Sequence, residues 1–176
     1  MTGSPQLFVA LFPDEVARRR LFRLAYDLGV MSSGRTIPQA NLHITLRYLG
    51  QVNMEVMQCL EQQLGRIKAT AFRLQISRLE TRARQGMIWA MPEECPEPLT
   101  ALVEEIDRCS SACDITVRDH EFLPHITLVR NIKRRPRLQQ IEPIEIVASN
   151  FQLAASERLS EGSHYRQLHR WSLSEL

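Results

Sequence analysis

Two identical tetrapeptides constrain this chain more than any other feature. His43-Ile44-Thr45-Leu46 recurs unchanged as His125-Ile126-Thr127-Leu128, 82 residues further on. A repeat of this kind points to two related structural halves, and two polar residues repeated together have no packing reason to recur. Both copies carry β-branched residues with period-two alternation, so each reads as a strand with His and Thr on one face and Ile and Leu on the other. The apolar pair is expected to face a core. The polar pair offers an imidazole beside a hydroxyl, roughly 6.5 to 7 Å apart. Brought together, two such strands present two imidazoles and two hydroxyls to one cleft.

That set matches the needs of phosphodiester cleavage by acid-base catalysis. A neutral histidine deprotonates an attacking water while a protonated partner delivers a proton to the departing ribose oxygen. The hydroxyls of Thr45 and Thr127 are suited to donate to the non-bridging oxygens, where negative charge must be stabilised. No metal is required, and a zinc site is the weaker reading because neither copy adds a third histidine or a nearby carboxylate. An arginine completes the set, and there are two candidates. By strict alternation Arg47 shares the face of His43 and Thr45, whereas Arg130 joins the His125 face only if its strand ends or bulges there. Periodicity does not choose between them.

Other residues carry weaker signals. His120, His164 and His169 lack a partner motif and read as surface or satisfied histidines. Phe8, Phe12, Tyr48 and Trp89 are candidates for a base-stacking platform, with core packing as the simpler explanation of each. The net charge of +2 does not announce a nucleic-acid binder. Its distribution is more suggestive: Lys133, Arg134, Arg135 and Arg137 follow the second motif and suit a phosphate backbone, while Arg18, Arg19, Arg20 and Arg23 read as a solvated helix face. Cys59, Cys95, Cys109 and Cys113 show no CxxC pair and are expected to be reduced. The longest apolar run, Leu7 to Phe12, is far too short to span a bilayer, and no basic segment precedes it as in a signal peptide. A cytoplasmic protein with no membrane contact is expected.

At 176 residues the chain fits one domain, 1–176, with internal duplication. Gln6 to Phe12 reads as a buried strand, and Asp14 starts a helix that Gly29 stops. Strands are expected at Leu42 to Leu49, Phe72 to Leu79, Met87 to Met91, His125 to Arg130, Ile144 to Ala155 and Tyr165 to Leu173. Asn53 caps a helix to about Lys68, and another runs from Leu99 to about Cys113 after the breakers Pro92, Pro96 and Pro98. Strands mixed with two or three helices, without steady βαβ alternation, predict an α+β fold with antiparallel sheet.

With these residues in place the chain resembles the two-histidine phosphoesterase superfamily, specifically bacterial LigT-like RNA 2′,3′-cyclic phosphodiesterases, once named 2′,5′ RNA ligases. Leu7-Phe8-Val9-Ala10-Leu11 looks like the family's first strand. Asn41 to Leu46 with Tyr48-Leu49-Gly50 looks like its first motif, Pro124 to Arg130 its second, and Tyr165 through Trp171 its closing strand. One departure is Phe12-Pro13-Asp14, where relatives often carry two prolines. The resemblance implies a bilobal fold of pseudo-two-fold duplicated lobes, their antiparallel sheets flanked by helices, with the active-site cleft between them. It implies a metal-independent, ATP-independent reaction that yields a 2′-phosphomonoester with no cofactor. His43 would protonate the departing O3′, His125 would activate water, and Arg130, preferred on this ground over Arg47, would contact the phosphate. The expected partners are RNA ends or small 2′,3′-cyclic nucleotides, taken by a monomer with no obligate protein partner. ADP-ribose cyclic phosphates present the same reacting group. Two other functions remain open at this stage: ligation of tRNA halves, and non-catalytic binding of 2′-phosphorylated nucleotides.

Overall fold

The computed structural model describes residues 6–117, 121–159 and 162–175. In chain order it runs β1 (Gln6–Leu11), α1 (Glu15–Ser32), β2 (Arg35–Thr36), a 3₁₀ turn at Gln39–Asn41, β3 (Ile44–Gly50), α2 (Met54–Leu64), β4 (Phe72–Arg82), β5 (Met87–Pro92), α3 (Glu97–Ala112), β6 (Ile126–Arg130), β7 (Ile144–Ala148), β8 (Asn150–Leu159) and β9 (Gly162–Ser172). The fold is α+β, and every pairing between these strands is antiparallel.

The strands form one sheet in the order β7-β4-β5-β6-β3-β1-β8-β9, with β2 added against β6. This order is its own mirror: β6 corresponds to β3, β5 to β1, β4 to β8 and β7 to β9. The two lobes therefore meet where β3 touches β6, and a single register pair, Ile44 with Ile126, joins them there. Both isoleucines belong to the repeated tetrapeptides and both are buried, as are Leu46 and Leu128. Burial of each such side chain contributes about 1.5–3 kcal/mol. The helices lie across the pseudo-symmetry: α1 follows β1 in the chain but packs on β6 and β7, while α3 follows β5 but packs on β3.

Local rules account for most element ends. The Asp14 carboxylate accepts from the Val16 and Ala17 N–H groups at the start of α1, and Asn53 accepts from Val56 at the start of α2. Several boundaries differ from the sequence reading; β4 runs on to Arg82 and β9 begins already at Gly162. Gly29 does not stop α1, because the helix continues to Ser32 and ends on Ser33 with φ 49°. The glycine instead permits a close approach: a Cβ there would lie 2.2 Å from the Thr36 hydroxyl oxygen on β2. Helix α2 ends at Leu64, before Gly65, and not near Lys68. Pro98 sits inside the first turn of α3, where its missing N–H costs nothing. The expected strand from Ile144 to Ala155 is two strands divided at Ser149. Strand β7 pairs with β4 and β8 with β1, at opposite ends of the strand order, so one intervening residue carries the chain between the ends of a sheet that curls back on itself.

The cysteines are also corrected. Cys59 of α2 and Cys113 at the end of α3 form a disulfide, while Cys95 and Cys109 are free thiols. The two helices pack side by side and bring the paired Cα atoms to 5.7 Å. A pairing 54 residues apart in sequence leaves no local pattern to read. No described helix is long and apolar enough to cross a membrane.

Candidate active site

His43 and His125 occupy the residues just before β3 and β6, and the two lobes face them into one cleft of about 270 Å³. Thr45, Thr127 and Arg130 line the same cleft, together with Phe8, Ile37, Asn41, Tyr48 and Tyr165. Alternation holds through the tetrapeptides: the isoleucines and leucines point into the core and the threonines stay partly exposed.

Beyond the tetrapeptides it fails, in the same way in both lobes. Val9 of β1 lies opposite Arg47 and Ala10 opposite Thr45, so Leu46 is an extra residue on β3. Ile88 of β5 lies opposite Val129 and Trp89 opposite Thr127, so Leu128 is extra on β6. A bulge of this kind re-aims every side chain that follows it. Arg47 and Val129 turn inward, whereas Tyr48 and Arg130 reach the cleft. Arg47 is 8% exposed, and its guanidinium donates to both carboxylate oxygens of Asp107 on α3. That pairing commits it to holding α3 against β3. Of the two arginines that periodicity left open, the bulges bring Arg130 to the histidines.

The two imidazoles share one backbone device. Nδ1–H of His43 donates to the Asn41 carbonyl at 2.7 Å, and Nδ1–H of His125 donates to the Leu123 carbonyl at 2.8 Å. A carbonyl only accepts, so each neutral ring carries its proton on Nδ1 and leaves Nε2 basic. Nε2 of His43 lies 3.0 Å from the Thr45 hydroxyl, which donates to it. Burial pushes the His43 imidazole down to about 4, opposed by the Asn41 carbonyl and reinforced by His125 and Arg130. Burial also lowers His125, opposed by the Leu123 carbonyl and reinforced by the Arg82 and Arg130 guanidiniums. In the free protein both rings favour the neutral form. An anionic phosphate between them would favour the protonated form.

The aromatic candidates divide between the histidines. Phe8 and Phe12 pack on the His43 ring with centroids at 5.0 and 5.4 Å, and Tyr165 of β9 stands edge-on to it at 5.1 Å. Trp89 stacks on His125 at 3.7 Å, and the Arg82 guanidinium lies 4.3 Å from the Trp89 ring. Three of the four candidates thus pack against a histidine, and Tyr48, 60% exposed, has the most accessible ring. Its hydroxyl donates to Gln6. Sequence reasoning missed Tyr165, Arg82 and the two carbonyls. A backbone acceptor carries no residue identity, and the other two come from strands distant in sequence.

The remaining candidates lie away from the cleft. His169 bonds Glu61 at 2.8 Å, His164 is exposed on β9, and His120 falls outside the described residues. None of Lys133, Arg134, Arg135 and Arg137 lines the cleft. Among the described residues no three of His, Cys, Asp and Glu converge as a metal site would require.

Two histidines that immediately precede pseudo-equivalent strands, each with a threonine two residues on and with one arginine in their common cleft, are the arrangement of a two-histidine phosphoesterase. The model of the 2′-5′ RNA ligase superfamily matches residues 12–159, and the chain belongs to that family. It is 27% identical to the RNA 2′,3′-cyclic phosphodiesterase of Escherichia coli, over 99% of this chain and 100% of the relative. The enzyme of the same name from Thermus thermophilus is 29% identical, with 96% of this chain and 90% of the relative covered. The crystal structure of E. coli LigT complexed with 3′-AMP superposes with a TM-score of 0.88 at 26% identity, covering 97% and 99% of the two chains. LigT has also been solved with phosphate, at a TM-score of 0.85 and 25% identity over 98% of this chain and 99% of that one. The chain is accordingly an enzyme of the RNA 2′,3′-cyclic phosphodiesterase class.

Proposed function

We propose that His43 and His125 carry this hydrolysis as a general acid and base pair, without metal or cofactor. The observation behind this reading is the shared device at the two imidazoles: a backbone carbonyl holds each Nδ1–H, and both rings border one cleft with Thr45, Thr127 and Arg130. With the cyclic phosphate between the rings, Nε2 of neutral His125 removes a proton from water as the water oxygen bonds to phosphorus. The P–O3′ bond breaks, and protonated His43 passes its Nε2 proton to O3′. The product is a 2′-phosphomonoester, and the proton gained by His125 returns to His43 through solvent. Arg130 binds the non-bridging oxygens with paired N–H groups, and Thr127 donates from the opposite strand. Thr45 has a dual part. Its hydroxyl donates to neutral His43, and once His43 is protonated that hydroxyl hydrogen is free for the phosphate.

Residues 1–176 act as one catalytic unit on this reading, because each lobe supplies half of the cleft. The substrate is a 2′,3′-cyclic phosphate on an RNA end or a small nucleotide, handled by a cytoplasmic monomer. The complexes of LigT with 3′-AMP and with phosphate support a cleft of this chemistry. The test is turnover of a 2′,3′-cyclic nucleotide in excess chelator, with the product identified by phosphorus NMR. Full activity and a 2′-monoester are expected. Loss of activity that zinc or manganese restores would overturn the metal-independent mechanism, and protection of the substrate without turnover would make the cleft a binding module.

A further inference from the structure

A further cavity adjoins the cleft on each side. On the His125 side lies a space of about 720 Å³ that shares Thr45, Tyr48 and His125 with it. On the His43 side the cleft shares Tyr165 with a pocket of about 340 Å³ that also includes Phe12, another of the rings packed on His43. The two cavities differ in chemistry. In the larger one the guanidiniums are already engaged, Arg47 by Asp107 and Arg82 by the face of Trp89, and Phe122 and Leu123 add apolar wall. In the smaller one Arg18 and Arg170 approach from α1 and β9, with Asn150, Gln152 and Gln167 beside them.

Among the described residues no carboxylate forms an ion pair with Arg18 or Arg170. Arg18 donates to the Pro13 carbonyl through Nε and one terminal nitrogen, which anchors the guanidinium at the pocket wall without neutralising it. The one carboxylate in the pocket, Asp14, accepts from two N–H groups at the start of α1, so its charge is directed at the helix end. Two cations with amide donors around them suit a singly charged oxyanion.

We propose that this pocket is a second anion subsite, which holds the internucleotide phosphodiester of an RNA chain whose terminal cyclic phosphate lies between His43 and His125. The inference rests on the cyclic phosphodiesterase reading above and narrows its substrate class. A cyclic mononucleotide has one phosphate and leaves the arginines unused. An RNA end carries another phosphodiester one nucleotide away, and the Arg18 and Arg170 pocket adjoins the cleft on the His43 side, where the departing O3′ is placed.

The experiment measures kcat/KM for 2′,3′-cyclic AMP and for a pentaribonucleotide ending in a 2′,3′-cyclic phosphate, each across a salt series. Wild type is compared with the double variant Arg18→Gln, Arg170→Gln and with Arg170→Glu alone, a change on an exposed strand residue. Both variants should turn over the mononucleotide within about twofold of wild type, which also reports that they fold. On the pentaribonucleotide the double variant should lose about tenfold or more, the size expected for charge-assisted hydrogen bonds. Its dependence of log kcat/KM on log salt should also flatten by about 0.7 per lost phosphate contact. Equal losses on both substrates, or no loss on either, overturn the subsite while leaving the cleft chemistry intact. If wild type hydrolyses neither substrate, the proposed function fails and the subsite fails with it.

Discussion

His43 and His125 head the same tetrapeptide and make the same backbone contact, yet their rings sit in different surroundings. His43 is enclosed by Phe8, Phe12 and Tyr165, and Thr45 bonds its Nε2. His125 stacks on Trp89, which lies under the Arg82 guanidinium, and among the described residues no hydrogen bond joins it to Thr127. The register shows where the lobes part: the residue opposite Thr127 is Trp89, and the residue opposite Thr45 is Ala10. Small against large at one pair of equivalent positions lets a tryptophan cover one imidazole, while rings from β1, the following turn and β9 cover the other. Duplication preserves the backbone device while the neighbours around it differ, and on the proposed mechanism the two rings take different parts, His43 as acid and His125 as base.

The most severe test of this division removes one ring at a time. His43→Ala and His125→Ala should each lower kcat by about 10²- to 10⁴-fold, because each removes one partner of a concerted proton transfer. The double variant should be little worse than either single one. Circular dichroism should report native folds. A single variant that keeps more than about a tenth of wild-type kcat would sink the paired assignment.

The threonines probe the same difference more finely. On the proposed mechanism Thr127→Val deletes a phosphate donor and should cost on the order of 10²-fold in kcat, about 2.7 kcal/mol, by analogy with the loss of one oxyanion donor. Thr45→Val should cost at least as much and should also move the pH profile, because its hydroxyl bonds His43 directly. Thr→Ser retains the donor at either site and should keep much of the activity. If Val is tolerated and Ser is not, the threonines act through packing.

A smaller effect appears in stability. Burial holds His43 at about 4 in the folded protein, against about 6.5 in the unfolded chain. As pH falls, the unfolded chain therefore takes up this proton first. The contribution of neutral His43 to stability is complete above about pH 6.5 and is lost progressively down to about pH 4. The loss should be on the order of 2–3 kcal/mol, with allowance for the part of the ring that meets the cleft. Denaturant titrations of wild type and His43→Asn at pH 7 and pH 4.5 measure it, and the variant should show the shallower fall. Saturating phosphate should restore part of the wild-type loss by favouring the protonated ring. Parallel profiles in the two proteins would show that His43 does not titrate as its burial implies.

Much of the site was legible because its chemistry is repeated. The two copies of His-Ile-Thr-Leu located the imidazoles and hydroxyls, and alternation alone put Ile44, Leu46, Ile126 and Leu128 in the core. Arg47 shows where that reasoning stops. Strict alternation carried it to the histidine face, and the bulge at Leu46 sent it to Asp107. Reading the motif as a family resemblance favoured Arg130, but the reason lies in the matching bulge at Leu128. The reduced state expected of Cys59 and Cys113 failed for a related reason, since packing of α2 on α3 sets their separation.

The order of residues along the chain was enough to set chemistry and local periodicity: which strands are amphipathic, which residues cap α1 and α2, and that two halves share one polar pair. Packing in three dimensions settled which arginine reaches the cleft, which ring stacks on Trp89, which carbonyl holds each Nδ1–H, and that Arg18 and Arg170 line one pocket. The division has a physical cause. Periodicity is a property of one strand and survives in the order of residues, whereas a bulge, a stacked ring or a disulfide depends on the register between segments that are distant in the chain.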